Sequence, residues 1–285
     1  MYLFLLPSLS ARRLKMPCML TLPPGSFRCG PQAESPPLSL SSGSCVDFAD
    51  KGRYYSAMPV FRLSEEVIFP RPELAEESGL LAIGGDLSAE RLIAAYRCGI
   101  FPWYAAGQPI LWWFTSPRLV LFPAELRISP RLARYQRNSG FHVTADSAFY
   151  QVIRHCADYR TGTRHETWIT AEMQEAYKRL HQLGYAHSIE CWHDGKLAGG
   201  LYGIALDRVF FGESMFSLES NASKIALIHL TCLLRQRSFG LIDCQMTTRH
   251  LLHLGAREIS GEEFSKYLKQ YIQSTAPNGL WTNDT

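Results

Sequence analysis

Two apolar segments of this chain carry charged and amide side chains at positions where a buried strand would place them. The segment at 210–217 reads Phe-Phe-Gly-Glu-Ser-Met-Phe-Ser, and the segment at 241–245 reads Leu-Ile-Asp-Cys-Gln. A polar group taken out of water costs free energy unless it is hydrogen-bonded, so these residues need partners or a function. In a strand, Asp243 and Gln245 would face one side of the sheet, while Ile242 and Cys244 would face the other. The alternation predicts an active-site strand.

The size and composition of the chain exclude several classes of protein. With 285 residues, of which 46% are hydrophobic, the chain can bury a sizeable core and is not disordered throughout. The apolar stretch at 225–234 contains His229 and Thr231 and is shorter than the roughly 20 residues that span a bilayer. The cysteines include no C-x-x-C pair, which favours reduced thiols over disulfides or a zinc site. We therefore expect a soluble, cytoplasmic protein with no metal and no membrane partner.

Residues 1–57 differ in composition from the rest of the chain. They are rich in Pro, Ser and Gly, and their excess of Lys and Arg accounts for the whole net charge of +3. Such a segment buries too little apolar surface to offset its ordering entropy, so we expect residues 1–57 to be disordered. The apolar start at 2–6 is too short for a secretion signal, and Met58 is a candidate alternative start.

The remaining chain alternates between strand and helix patterns. Ser88 and Ser129 are placed to cap the starts of two helices, Gly99 is placed to end the first of them, and Asp194-Gly195 predicts a hairpin turn. Strands are predicted at 80–83, 110–113, 119–122, 186–192, 197–204, 208–212 and 241–246. Helices are predicted from about 89, from 130, and at 146–157, 170–183, 222–237, 249–254 and 261–272. The order predicts an α+β (mixed α/β) fold.

Several familiar catalytic motifs are missing from the sequence. It contains neither G-x-G-x-x-G nor a phosphate-binding P-loop, which disfavours a nucleotide-phosphate site. Ser214 lies in Gly-Glu-Ser-Met-Phe, which fails the G-x-S-x-G motif at its last position. His250 and His253 have no third ligand at a supporting spacing, so we interpret them as surface or capping residues.

Four arginines recur every three or four residues around the helix that begins after Ser129, namely Arg127, Arg131, Arg134 and Arg137. We call them the arginine stripe. The stripe is either a solvated helix face or a surface that contacts nucleic-acid phosphates. Trp103 and Trp168 leave a similar choice open, because an aromatic beside a turn either packs into the core or stacks on a base. The residue pattern alone does not decide between these readings.

Nine short segments in a fixed order make the chain recognisable. They read GLLAIGGDLS from residue 79, AYRCGIFPWY from 95, ILWW from 110, TWIT from 167, HSIE from 187, GESMFS from 212, NASK from 221, LIDCQ from 241 and HLGA from 253. Together they closely resemble the bacterial leucyl/phenylalanyl-tRNA-protein transferases. The resemblance runs from about residue 61 to the C-terminal helix and leaves out the front segment.

The resemblance implies a small N-terminal domain at 58–117, a GNAT-like acyltransferase domain at 118–275 and a tail at 276–285. It implies an enzyme that moves Leu or Phe, and Met less well, from aminoacyl-tRNA to the N-terminal Lys or Arg of an acceptor protein. The product is an N-terminal degradation signal. We expect the protein to be a monomer. We also expect it to need no cofactor, because an aminoacyl ester is already activated.

The resemblance also implies roles for individual residues. Trp103 and Trp168 match the aromatics that hold the terminal adenosine, and the arginine stripe matches the tRNA-facing surface. Glu213, Asp243 and Gln245 match the polar centre, and the substrate pocket would include Leu201, Phe210 and Ser214.

The chemistry of these groups narrows their roles. A neutral amide is not a base near pH 7, so Gln245 would orient the reactants by hydrogen bonding. Asp243 is the better charge partner, and our hypothesis is that Glu213 and Asp243 supply a negative field that selects a basic N-terminal residue.

One loop departs from the family pattern. Where the family has Trp-Trp-Ser-Pro-Asp-Pro-Arg, this chain has Trp-Trp-Phe-Thr-Ser-Pro-Arg at 112–118 and lacks the acidic residue. The departure puts the packing or the contacts of this loop in question.

Two other functions remain open: a tRNA-binding protein without transfer activity, and an acyl-CoA-dependent GNAT acyltransferase. The second needs a glycine-rich pyrophosphate loop before a helix, which residues 217–223 do not supply.

Overall fold

Two β-sheets organise the residues that the structure, a computed structural model, describes: 60–161 and 167–281, with the side chains of 159–161 left out. The strands are β1 (Phe61–Leu63), β2 (Leu80–Gly84), β3 (Phe101–Pro102), β4 (Leu111–Trp113), β5 (Arg118–Leu121), β6 (His142–Ala145), β7 (Ala186–His193), β8 (Lys196–Leu206), β9 (Val209–Ser217), β10 (Leu241–Gln245) and β11 (Arg257–Ile259). The helices are α1 (Ala89–Arg97), α2 (Pro130–Asn138), α3 (Phe149–Thr161), α4 (Ala171–Gln182), α5 (Ala222–Gln236), α6 (Arg249–His253) and α7 (Gly261–Tyr271). The mixture confirms the α+β class. The predicted disorder of residues 1–57 and the candidate start Met58 lie outside the described residues.

The smaller sheet has the order β1-β2-β4-β3, and the larger sheet has the order β11-β5-β10-β9-β8-β7-β6. In the larger sheet β9 and β10 run parallel, and the other neighbours are antiparallel. The change from one sheet to the other falls between Trp113 and Arg118, next to the domain boundary predicted at 117/118. The described residues nevertheless belong to one compact unit, so the predicted division into domains stays a prediction.

Helices cover both faces of the larger sheet. Helices α3 and α4 pack against β7, β8 and β9 on one face, and α5 packs against the same strands on the other. Neighbouring residues of β9 show the alternation: Phe210 is buried with Ile225 and Ala226 of α5, whereas Phe211 is buried with Val152 of α3. The strands at the centre of the sheet are therefore buried on both sides, which leaves few places where a polar side chain avoids desolvation.

Local sequence signals account for several element boundaries. The Ser88 and Ser129 side chains each accept a backbone hydrogen bond at the start of α1 and α2, as predicted. Gly99 follows α1 with a φ of 74°, a conformation that glycine adopts without a steric cost. Asp194 and Gly195 both have positive φ, as a tight hairpin between β7 and β8 requires.

All of the predicted helices and strands are present, within a few residues of their expected ends, and β9 continues further, to Ser217. Four strands were not predicted, namely β1, β3, β6 and β11. Each is two to four residues long and lies at the edge of its sheet. An edge strand pairs on one side only and needs no continuous apolar run, so its sequence carries little signal.

The end of the described chain is packed into the body. The Trp281 side chain is fully buried, its ring stacks on His187 at 3.9 Å, and its backbone N–H donates to Asp146 Oδ2 at 2.8 Å. Trp281 was placed in a predicted tail at 276–285, but the described part of that segment is anchored. No helix of the described residues combines the length and apolar character needed to cross a membrane.

Candidate functional site

A β-bulge on β9 presents the first carboxylate of the site. Tyr202 of β8 pairs with Ser214 and Gly203 pairs with Gly212, so Glu213 is an extra residue in the ladder. The bulge breaks the regular alternation of β9 and turns Glu213 toward α1 and α4. Bulges of this kind commonly re-aim a side chain beside an active site.

A second bulge lies at the matching position of the neighbouring strand. On β10, Asp243 pairs with Val120 and Gln245 pairs with Leu119, which leaves Cys244 as the extra residue. Gln245 has a φ of 58°, in the left-handed region that non-glycine residues rarely occupy. Its backbone N–H donates to Asp243 Oδ1 at 2.9 Å, which holds the turn. A conformation that costs roughly 1–3 kcal/mol is commonly retained where a function needs it.

Glu213 accepts hydrogen bonds from three side chains. Tyr96 donates to Oε1 at 2.7 Å, Tyr177 donates to Oε2 at 3.0 Å, and Gln245 Nε2 donates to Oε1 at 3.1 Å. The hydroxyls of Tyr96 and Tyr177 also bond to each other. Burial, helped by the nearby Asp243 charge, raises the pKa of the Glu213 carboxyl to about 7 in spite of these bonds.

Asp243 forms a buried ion pair with Arg118. Arg118 Nε donates to Oδ1 at 2.8 Å and Nη2 donates to Oδ2 at 2.6 Å, and both side chains are at most 1% exposed. The guanidinium also donates to the Gly99 carbonyl at 3.1 Å and lies between the rings of Phe101 and Phe264, at 4.9 and 4.7 Å. The charge of Asp243 is therefore balanced inside the protein.

Sequence reasoning found Glu213, Asp243 and Gln245 but missed Arg118, Tyr96 and Tyr177. The visible signal for Arg118 was its place directly before the apolar run at 119–122. An arginine that enters the core with such a strand is rarely buried without a partner.

The loop that departs from the family pattern is well connected. Ser116, at the position of the missing acidic residue, accepts a hydrogen bond from the Gly261 N–H at 3.0 Å. Thr115 Oγ1 accepts from Arg118 at 3.3 Å, and Phe114 lies 6.3 Å from the ring of Phe264. A hydroxyl oxygen thus accepts the hydrogen bond that joins this loop to the start of α7.

Trp103 and Trp168 are both partly buried against the core on the Glu213 side of the sheet. The Trp103 carbonyl accepts from Trp113 Nε1 at 2.8 Å, and the two rings meet edge to face at 5.4 Å. The next residue, Tyr104, donates to Glu172 at 3.4 Å and so links the Trp103 loop to the start of α4, just after Trp168.

The predicted pocket residues are buried on β8 and β9. Leu201 and Phe210 lie in the core on the α5 side of the sheet, opposite to the contacts of Glu213. Ser214 is fully buried across from Tyr202. The structure does not bring Leu201 and Phe210 into contact with the polar centre, and their role in a pocket stays a prediction.

The arginine stripe is exposed along its whole length. Leu132 is buried and holds α2 against the α5 side of the sheet, and Tyr135 donates to the Ser220 carbonyl at 3.1 Å. Within residues 60–161 and 167–281, no ion pair involves an arginine of the stripe. These four positive charges are available to an external anion.

The two histidines set aside earlier, His250 and His253, both lie in α6. His253 Nδ1 contacts the Arg249 carbonyl at 2.5 Å, which fits a capping role within α6. In the described part of the chain, no group of three His, Cys, Asp or Glu side chains is arranged to hold a metal ion.

Comparison with known proteins places this geometry in a family context. The family model described as leucyl/phenylalanyl-tRNA protein transferase matches residues 120–269, and the model of its N-terminal domain matches residues 85–116. Two relatives are named leucyl/phenylalanyl-tRNA--protein transferase. The one from Syntrophobacter fumaroxidans is 58% identical to this chain, and the one from Desulfotalea psychrophila is 56% identical to it. These alignments cover 80% and 79% of this chain, and 97% and 99% of the relatives.

Among solved structures, one neighbour with a distant likeness is an acetyltransferase. A GCN5-related N-acetyltransferase from Kribbella flavida aligns over 59% of each chain with 12% identity and a TM-score of 0.33.

Proposed function

Because this chain belongs to the leucyl/phenylalanyl-tRNA protein transferase family, we infer that it is an enzyme that transfers an aminoacyl group from tRNA to a protein. The observation that carries this conclusion is 58% identity over nearly the full length of a relative of that name. We further propose that the donors are Leu-tRNA and Phe-tRNA, with Met-tRNA used less well. The acceptor is the N-terminal Lys or Arg of a protein, and the enzyme acts as a cytoplasmic monomer.

The reaction makes modest demands on the protein. The aminoacyl ester is already activated, so the enzyme has to align an amine with the ester carbonyl and manage one proton. The acceptor α-amine has a pKa of about 7.7–8.0, so a useful fraction is unprotonated near neutral pH. This chemistry is within reach of the hydrogen-bonding side chains around Glu213 and needs no cofactor.

Gln245 is the group that we propose to orient the acceptor amine. Its Nε2 donates to Glu213, and its amide oxygen accepts no hydrogen bond from the described residues. Gln245 is 7% exposed, compared with 1% for Glu213 and 0% for Asp243, so it is the most accessible member of the polar centre. An amine N–H bound to the amide oxygen would therefore sit beside the Glu213 carboxyl.

Selection of a basic acceptor residue depends on the net charge of the polar centre. Arg118 balances the Asp243 charge, so these two groups together offer little field to a further cation. The field that we proposed for Glu213 and Asp243 is therefore largest when Glu213 is ionised.

The tRNA end of the substrate is proposed to be held by aromatic and apolar contacts. Trp103 and Trp168 would stack on the terminal adenosine, with a contribution of about 1–3 kcal/mol per stacked base. Leu201, Phe210 and Ser214 would line the pocket for the Leu or Phe side chain. One methylene in such a pocket changes the binding free energy by only about 1–3 kcal/mol, so Met would also be accepted, at a lower rate.

A transfer assay tests this function directly. Purified protein is incubated with radiolabelled Phe-tRNA and a peptide that begins with Arg, and the labelled peptide is counted. The matched controls are the same peptide with an acetylated N-terminus and a peptide that begins with Ala, both expected to stay unlabelled. Binding of tRNA without transfer would support the non-enzymatic alternative, and label from acetyl-CoA would support the acyl-CoA alternative.

The arginine stripe leads to a prediction about tRNA affinity. Replacing Arg131, Arg134 and Arg137 together by Ala should weaken tRNA binding and leave the rate at saturating tRNA unchanged. Each lost phosphate contact should make the slope of log K against log salt less negative by roughly 0.7–0.9. The measurement is filter binding between 50 and 200 mM salt, about the range over which such slopes are read.

The control for this experiment removes the same charge from other surfaces. Arg62, Arg71 and Lys266 are also exposed, and their triple Ala variant carries the same net charge as the stripe variant. The control variant should keep the salt slope of the unmodified protein. Equal slopes for the two variants would show that the stripe has no special role.

A further inference from the structure

The hydroxyls of Tyr96 and Tyr177 and the Glu213 carboxyl form a closed triangle of hydrogen-bond contacts. Tyr96 contacts Oε1, Tyr177 contacts Oε2, and the two hydroxyls contact each other. Each contact needs one hydrogen, and the two tyrosines supply two. An ionised carboxylate supplies none, so one of the three contacts would then join two lone pairs. A protonated carboxyl supplies the third hydrogen and satisfies the whole triangle.

The fourth contact indicates which oxygen would carry this proton. Glu213 Oε1 already accepts from Tyr96 and from Gln245 Nε2, whereas Oε2 contacts only Tyr177 among the described residues. A proton on Oε2 can be donated to the Tyr177 hydroxyl, which donates to the Tyr96 hydroxyl, which donates back to Oε1. Buried polar networks are stable when every member is satisfied in this way.

Glu213 is the only member of the triangle whose pKa lies near neutral, at about 7. Burial raises the pKa of both tyrosines well above the ordinary value, so they stay protonated. Tyr202 packs edge-on against Tyr177 from β8, and Asp243 faces the triangle from β10 with its charge balanced by Arg118.

We propose that Glu213 is the catalytic residue that accepts the proton of the acceptor amine and returns it to the leaving group, with Tyr96 and Tyr177 as its positioning residues. This inference rests on the proposed aminoacyl transfer. The nitrogen forms a bond to the ester carbonyl carbon, and the carboxylate takes one proton from that nitrogen. The bond from the carbonyl carbon to the ribose oxygen then breaks, and the proton passes from Glu213 to that oxygen.

Proton uptake by Glu213 completes the triangle, so that each of its three contacts then holds one hydrogen. The amide of Gln245 can bind the amine through its oxygen while its nitrogen binds Glu213, so the two groups are held side by side. A pKa of about 7 for the carboxyl lies close to that of the α-amine, about 7.7–8.0, which suits a group that both takes and returns a proton.

The test is the replacement Glu213→Gln. Glutamine has the same shape and can complete the triangle, since its nitrogen donates where the protonated carboxyl would, but it cannot exchange a proton. Transfer of Phe to an Arg-initiated peptide should fall about 10²–10⁴-fold, and the rise in kcat/KM with pH that centres near 7 should disappear. Tyr177→Phe removes a hydrogen bond that stabilises the carboxylate, so it should move this rise to higher pH.

A second measurement does not depend on activity. The carbonyl stretching band of a protonated carboxylic acid should be lost as pH rises through about 7 in the unmodified protein, and this change should be absent in Glu213→Gln. The unfolding constant gives the same information. Between about pH 4.5 and 7 the folded protein holds one more proton than the unfolded chain. Its unfolding constant should therefore rise by up to about tenfold per pH unit relative to Glu213→Gln.

Glu190→Gln is the matched control. Glu190 is also a fully buried carboxyl, on β7, and it accepts from Thr144 and Ser188 at 2.6 and 2.5 Å, outside the polar centre. Glu190→Gln should keep both the transfer rate and the infrared change near pH 7. A Glu213→Gln variant that transfers within a few-fold of the unmodified rate, with an unchanged pH profile, would overturn the proposal. Absence of transfer by the unmodified protein would instead refute the proposed function, and the infrared titration would still report on Glu213.

Discussion

Replacing Asp243 by Asn is expected to lower the free energy of unfolding by about 3–5 kcal/mol, because the change leaves a buried arginine without its counter-charge. The Arg118 side chain is 1% exposed and donates two hydrogen bonds to Asp243, at 2.8 and 2.6 Å. An uncompensated guanidinium at this depth must either recruit water or distort the packing of Phe101 and Phe264 around it. Urea denaturation followed by circular dichroism measures the loss.

The control is Glu125→Gln, which removes the charge that Glu125 offers to Arg257. Both side chains of this pair are half-exposed, and Arg257 keeps its contact with the Phe122 ring. This variant should therefore lose no more than about 1 kcal/mol. Adding Arg118→Met to Asp243→Asn removes the stranded charge and should restore part of the stability. A loss below about 1 kcal/mol for Asp243→Asn alone would show that the pair is not buried as described.

Replacing Trp281 by Ala is expected to cost about 3–5 kcal/mol of stability, the range for removing a large buried aromatic. Trp281 is completely buried, although its neighbour in sequence, Leu280, is 53% exposed. The ring stacks on His187 at 3.9 Å, lies 6.0 Å from Phe210, and has the Arg237 guanidinium over it at 5.2 Å. Its loss would open a cavity at the end of the sheet, and the effect is again read from urea denaturation.

Leu280→Ala serves as the control, since a substitution at an exposed position usually changes stability by less than about 0.5 kcal/mol. Equal stabilities of Trp281→Ala and Leu280→Ala would mean that this segment is not packed into the body in solution. Phe210 contacts the Trp281 ring and is also a proposed pocket residue. We therefore expect the Trp281 variant to raise KM for Phe-tRNA as well, whereas the Leu280 variant should not.

The elements that could be predicted are those whose signal is local. Ser88 and Ser129 cap helices through bonds to residues three positions away, and Gly99 ends a helix through its own backbone conformation. Such signals depend on a few neighbouring residues. The edge strands β1, β3, β6 and β11 could not be predicted, because their partners, and not their composition, make them strands.

The polar centre was predictable only in part, for a similar reason. Regular alternation suggested that Asp243 and Gln245 share a face, but Gln245 occupies its position through a bulge and a positive φ. The 241–245 segment contains no residue that predicts a bulge. The bulge depends on how β10 pairs with β5 and on where β9 and β10 separate.

By itself, the sequence determined the fold class, the order of most elements, the family resemblance and three polar residues in an apolar sheet. The tertiary structure alone decided what surrounds those residues. Arg118 lies 125 positions from Asp243, and Tyr96 and Tyr177 lie 117 and 36 positions from Glu213. Periodicity reports which way a side chain points. The protonation state of a buried carboxyl depends instead on whether a cation or only neutral hydrogen-bond donors lie beside it. Folding brings those groups together from distant parts of the chain.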